Sequence, residues 1–146
     1  MSSTTYDVNT VRARREAIVK AHIEAEAVEH DVAAALATFK HPRYDVPALG
    51  GVVDGSAGVE GLLEVLLTAF PDFWLRPGAH YHADDVVIVE CVFGGTQRGE
   101  WAGIPASGRK MEVAAALFFL FDGDGLMCER VYFDHATVLK QLGAIS

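Results

Sequence analysis

The sequence predicts an α+β domain: a curved, mixed but mainly antiparallel sheet wrapped around N-terminal helices, forming a cone with an apolar pocket. Three observations carry this reading. Helical patterns gather in the first half of the chain and extended, β-rich runs in the second, the segregation expected of an α+β layer architecture. Asp122-Gly123-Asp124-Gly125 separates two of those runs and supplies the φ > 0 positions that a tight antiparallel connection needs. The run before that turn is apolar on both faces, with Val113, Ala115, Leu117 and Phe119 on one and Ala114, Ala116, Phe118 and Leu120 on the other. Such a strand is expected to be covered twice, by helices or a pocket on one side and by a second sheet or a partner subunit on the other. A homodimer is the corresponding expectation, because this surface left in water is an aggregation patch.

The elements follow in order. Thr10 to Glu29 is rich in Ala, Glu and Arg, with Val11, Ile18, Ile23 and Val28 on a helical stripe. Asp31 stands at the N-cap of a second helix reaching Phe39, and Pro42 stops it. Arg43 to Val46 reads as a short strand, and Gly50-Gly51 with Asp54-Gly55 flank another. Ser56 is the expected N-cap of a helix from Ala57 to Phe70, whose Val59, Leu62, Leu63, Leu66, Leu67 and Phe70 form an apolar stripe. Pro77-Gly78 makes Phe73 to Tyr81 an edge or bulged strand. Val86 opens a strand expected to run toward Trp101; Lys110 to Phe121 and Leu126 to Phe133 follow, then a helix from His135 to Leu142.

Composition narrows the function. A chain of 146 residues with 51% hydrophobic and 22% charged residues is one globular domain, spanning 1–146. A net charge of −8 argues against nucleic acid, which needs a basic surface. The longest wholly apolar run, Val113 to Phe121, is far short of the ~20 residues that cross a bilayer, and MSSTTYDVN lacks a secretory pattern. A cytoplasmic protein without a membrane partner is expected. Cys91 and Cys128 have no C-x-x-C or Cys/His spacing, which suits buried reduced thiols. His80-Tyr81-His82 places two rings on one strand face, but no third ligand clusters nearby. Asp122 and Asp124 lack the rest of a calcium loop, and neither a phosphate loop nor a nucleophile elbow is present. No metal or cofactor is expected, and the ligand is expected to be a hydrophobic small molecule.

Several motifs then narrow the class: F-P-D at Phe70 to Asp72, G-T-Q-R-G at Gly95 to Gly99, G-I-P-A-S-G-R-K at Gly103 to Lys110, and the ending Y-F-D-x-x-x-x-L-x-Q-L-G at Tyr132 to Gly143. With this layout, the chain resembles the SnoaL-like polyketide cyclases of the nuclear transport factor 2-like (cystatin-like) superfamily. The resemblance covers most of the chain and implies a cyclase- or isomerase-type enzyme that works by acid–base proton transfer without a cofactor. The fold hosts many reactions and also plain binding modules. Ring-closing members are similar in the last strand but carry an Asp base there, with a His opposite; those positions here are Val131 and Leu117. The epoxide hydrolase pattern falls on Gln97, Gly99 and Val131 and is likewise unfilled. A non-catalytic module for small-molecule binding or dimerisation, which kept the fold and lost the acid–base pair, is therefore the alternative.

Alternation along the last strand puts Glu129 and Phe133 on the face of Val131, so Glu129 becomes the candidate replacement acid or base. Its bland alternative is pairing with Arg130, Arg109 or Lys110. Asp134 is a second catalytic candidate through its match to the family's strand-end aspartate; the competing reading is an N-cap for the terminal helix. His41 and Tyr44 fall at the expected pocket mouth and Trp101 near its lid. With Leu117, Val131 and Phe133 they form the candidate substrate-binding set.

Overall fold

Asp7 starts the first helix by accepting a hydrogen bond from the backbone N–H of Asn9 at 3.0 Å. The computed structural model describes residues 7–146. Helix α1 spans Val8–Ile23 and runs into a π-helical turn, Glu24–Val28, closed by the Glu29 N–H on the Glu24 carbonyl at 2.9 Å. Its buried face is Arg15, Val19, His22 and Ile23, whereas Val28 is 70% exposed. The expected Val11 to Val28 stripe is thus misphased at its end. Helix α2, Val32–Ala37, is capped by Asp31 as expected, with Oδ1 accepting from the Ala34 N–H at 2.9 Å.

Two short strands, β1 (Arg43–Val46) and β2 (Gly51–Asp54), pair antiparallel. Helix α3, Ser56–Ala69, follows with Gly55 rather than Ser56 at its N-cap. Gly55 turns the chain at φ 87°, a conformation that a residue with a Cβ adopts only at a cost.

The remaining strands are β3 (Trp74–His82), β4 (Val86–Thr96), β5 (Lys110–Asp122) and β6 (Gly125–Phe133), before helix α4 (His135–Gln141). They form one six-stranded sheet in the order β2-β1-β6-β5-β4-β3, in which β1 runs parallel to β6 and every other pairing is antiparallel. The register of β3 slips between Pro77 and His80, the irregularity that the proline predicts. Gly123, at φ 62°, turns β5 into β6. β4 ends at Thr96, short of Trp101, which instead meets Ile104 across an isolated bridge. Gln97 causes this departure. Its buried side chain donates to the Ile104 carbonyl at 2.9 Å and accepts from the Ser107 hydroxyl at 2.6 Å, drawing the connection inward.

The concave face of the sheet packs on the helices. Val87, Val89, Leu117, Phe119 and Leu126 join Val19, Val59 and Leu63 in one cluster, while Phe70, Phe73, Met111, Val113 and Val138 form a second toward α4. The convex face departs from the sequence expectation. Ala114 is exposed, Ala116, Phe118 and Leu120 are half-buried, and Tyr132 is 43% exposed, so no second layer among the described residues covers β5.

Candidate active site

Alternation and register bring the polar residues of the core together. In the one parallel pairing, Tyr44 of β1 lies opposite Glu129 of β6, and both are directed to the concave side. His22 sits on the inward face of α1, one turn before Glu26 in the π-helical turn. His22 Nε2 lies 2.8 Å from the Tyr44 hydroxyl, 2.9 Å from Glu26 Oε2 and 3.1 Å from Glu129 Oε2. The Tyr44 hydroxyl also donates to Glu26 Oε2 at 2.7 Å. The other ring nitrogen is a donor as well. Thr38 gives its hydroxyl proton to the Ala35 carbonyl at 2.6 Å, so its oxygen accepts from His22 Nδ1–H at 2.8 Å and Nε2 is left to face the carboxylates. Phe39 and Phe119 close around the ring, edge to face, at 5.1 and 5.8 Å.

Burial sets the electrostatics. It pushes the Glu129 carboxyl above the ordinary carboxylate range, and the charge of Glu26 pushes the same way against the pull of His22 and Tyr44. For His22 burial works downward, but the charge and hydrogen bond of Glu129, followed by those of Glu26, outweigh it and raise the imidazole to about 10. Burial and then the two carboxylates hold Tyr44 well above its usual value, so it remains a hydroxyl. The arrangement is therefore an imidazolium clamped between two carboxylates with a phenol beside them. These groups can pass a proton among themselves without water. The same trio, His22, Glu26 and Glu129, is the one set among the described residues whose potential ligand atoms lie within 4.8 Å of one another. Their mutual hydrogen bonds satisfy it as a proton-sharing cluster.

This cluster forms one end of a cavity of about 80 Å³, whose walls include Leu62, Leu66, Phe73 and Phe93. Among the described residues, Glu26 and Glu129 are the charged lining and no lysine, arginine or histidine joins them.

The sequence-predicted residues divide. Glu129, Tyr44, Trp101, Leu117, Val131 and Phe133 all line the cavity. Leu117 and Val131 lie directly opposite each other across β5 and β6, so the two positions that resemblance reserves for His and Asp do meet at the cavity wall, filled by aliphatic side chains. Glu129 pairs with His22, not with Arg130, which turns to the convex side and donates to Asp45 Oδ2 at 2.7 Å. His41 is a correction. It lies outside the cavity lining, on the exposed edge of β1 and β2, 2.8 Å from Asp54. Asp134 is a second correction. Outside the cavity as well, it caps α4, accepting from the Ala136 N–H at 3.1 Å and the Thr137 hydroxyl at 2.7 Å, bonds that hold its carboxyl below the usual range. The two rings of the His80/His82 pair grip one carboxylate of α1, Glu16, at 2.8 and 2.6 Å.

His22, Glu26 and Thr38 were not among the candidates read from the sequence. A signal was present: residues 15, 19, 22 and 26 share a helical face, which places a histidine and a glutamate one turn apart beside Val19.

With the site described, its relatives can be placed. A family model for the SnoaL-like polyketide cyclase matches residues 17–142, and the chain belongs to that family. TsrD from Streptomyces laurentii is similar in structure at 26% identity and TM-score 0.78, covering 92% of this chain and 98% of its own. A SnoaL-like polyketide cyclase from Jannaschia sp. CCS1 is similar at 19% identity and TM-score 0.80, covering 92% and 94%. TerC, solved with polyporic acid, is similar at 16% identity and TM-score 0.73, covering 89% and 98%. Among curated proteins none matches the sequence. No helix among the described residues is long and apolar enough to cross a membrane.

Proposed function

We propose that the chain is a cofactor-independent acid–base enzyme of the cyclase or isomerase type, acting on a hydrophobic, polyketide-type small molecule. The carrying observation is Glu129: a buried carboxylate of raised pKa at the end of an apolar cavity, with an imidazolium behind it and a phenol beside it. Glu129 takes a proton from carbon next to a carbonyl. The Tyr44 hydroxyl, turned from Glu26 toward the carbonyl oxygen, donates to the charge that develops there. Reprotonation at a second carbon by the Glu129 carboxyl returns the base to its starting state. His22 contacts no substrate in this scheme; it positions Glu129 and stabilises its ionised form. Relative to the pattern that the resemblance implies, the base stands two residues earlier on the same strand face, Glu129 in place of Val131.

The cavity is smaller than the ~150 Å³ void that admits benzene. A substrate therefore enters by displacing half-buried wall residues such as Leu62, Leu66 and Trp101. The polyporic acid held by TerC supports a small-molecule role for this pocket. A second copy of the chain on the convex face is part of the same reading, supported by the uncovered apolar side chains of β5, as is a cytoplasmic location, supported by two free buried thiols. Light scattering is expected to give a dimer that Phe118→Glu converts to monomer; a monomeric wild type removes the second copy.

The proton-transfer reading is tested with 2-indanone in D₂O, following loss of the α-proton signal by NMR. Wild type is expected to exceed the buffer rate, and Glu129→Gln to lose about 10²- to 10⁴-fold of that excess. Wild-type exchange no faster than buffer would replace this reading with the non-catalytic binding module.

A further inference from the structure

The cavity's charge has not been balanced by the chain. Two carboxyl groups and one imidazole meet at its polar end, so acidic groups outnumber basic ones in an apolar surround. No cationic side chain among the described residues lines the cavity to meet them. The hydrogen bonds are uneven in the same sense. Glu26 and Glu129 each hold His22 through Oε2, and Tyr44 adds to Glu26 Oε2, which leaves each carboxyl group further acceptor capacity for a donor on a ligand. The Glu129 side chain is 4% exposed and that of Glu26 13%, so both carboxyl groups are largely withdrawn from bulk water. A buried acceptor without a donor is costly, and a buried charge without a counter-charge more so.

Ligand chemistries meet this deficit unequally. A carboxylate or phosphate adds a like charge to the two already there. A hydroxyl supplies a donor but leaves the charge. A primary ammonium brings up to three N–H donors and the balancing charge together. We propose that the cavity selects a hydrophobic primary amine, bound as its ammonium at the Glu26 and Glu129 end with its apolar body between Phe73, Phe93 and Leu66. This rests on reading the cavity as the ligand site and adds the class of ligand it takes; general acid–base chemistry by itself requires no charge on the substrate.

The test compares three single-ring probes of one shape, benzylamine, benzyl alcohol and benzoate, titrated calorimetrically against the wild-type chain at pH 7. The amine is expected to bind at least about tenfold more tightly than the alcohol, and benzoate more weakly than either. Glu26→Gln and, independently, Glu129→Gln are expected to bring the amine-to-alcohol ratio toward one. Alcohol binding equal to amine binding, an amine that does not bind, or a ratio unmoved by both variants overturns the proposal. Where a variant fails to fold, the wild-type ratio and its decline in high salt decide the matter. The two readings fail separately. Ketone exchange without amine preference overturns the ligand class alone, and amine preference without exchange overturns the acid–base step alone.

Discussion

Two clusters of carboxylate and imidazole tie α1 to the sheet, one carboxylate with two imidazoles near the surface and one imidazole with two carboxylates in the interior. At the surface, Glu16 receives His80 and His82 of β3, with the three side chains 36%, 29% and 16% exposed. Two turns along the same helix, His22 is fully buried between Glu26 and Glu129. Burial is the largest single influence on Glu16 and pushes its carboxyl up, but the hydrogen bonds and charges of the two histidines together outweigh it, so the carboxyl falls below the ordinary range. In the interior, burial and a second carboxylate win, and Glu129 rises. The same residue types thus give a carboxyl of lowered pKa in one place and one of raised pKa in the other. Depth and the ratio of carboxylate to imidazole together set the opposite directions of the two shifts.

The largest effect that sharpens this contrast is His22→Ala. Removing the imidazole strands two carboxylates in the core, and a loss of about 3–5 kcal/mol is expected by urea unfolding. A loss no larger than that of a surface pair would erase the distinction. Next is the pH dependence. The His22 imidazole titrates near 6.5 when unfolded and at about 10 in the fold, so between those values the folded chain holds one more proton. Its stabilisation is complete below pH 6.5 and declines as pH rises toward 10, with a slope approaching about 1.4 kcal/mol per pH unit. Thermal melts across that range should show the decline in wild type and lose it in His22→Gln. Thr38→Val, which keeps shape but removes the acceptor for Nδ1–H, is expected to cost about 1–3 kcal/mol. The smallest effect belongs to the exterior: Glu16→Gln is expected to cost under ~1 kcal/mol, with the difference shrinking as salt is added.

The sequence exposed the architecture more fully than the chemistry, for physical reasons visible in single residues. The β5–β6 hairpin was legible because Gly123 and the apolar runs around it are local signals. Glu129 was legible by alternation once its strand was found, and Tyr44 by its place on β1. His22 was hidden in an Ala/Glu-rich helix whose phase was fixed on Val11 and Val28; an exposed valine misled where a buried histidine mattered. The π-helical turn that carries Glu26 leaves no local signature, since its extra residue is a matter of backbone bonding. His41 was misplaced because the β1 edge pairs with β2, which gave it Asp54 as a surface partner. The convex face marks the limit of patterning: Ala114, Ala116, Phe118 and Leu120 read as a covered face, and among the described residues they stand exposed or half-buried.

The parallel seam between β1 and β6 is short, two residue pairs long, and each pair is held on its own side: Tyr44 and Glu129 inside, both on His22 Nε2, and Asp45 with Arg130 outside. Sliding β1 by a single residue would swing the phenol into solvent and drive Arg43 or Asp45 into an oily chamber. The seam therefore acts as a two-sided registration mark. A chain that has closed it correctly has, in the same movement, set Tyr44 beside Glu129 on the inner face.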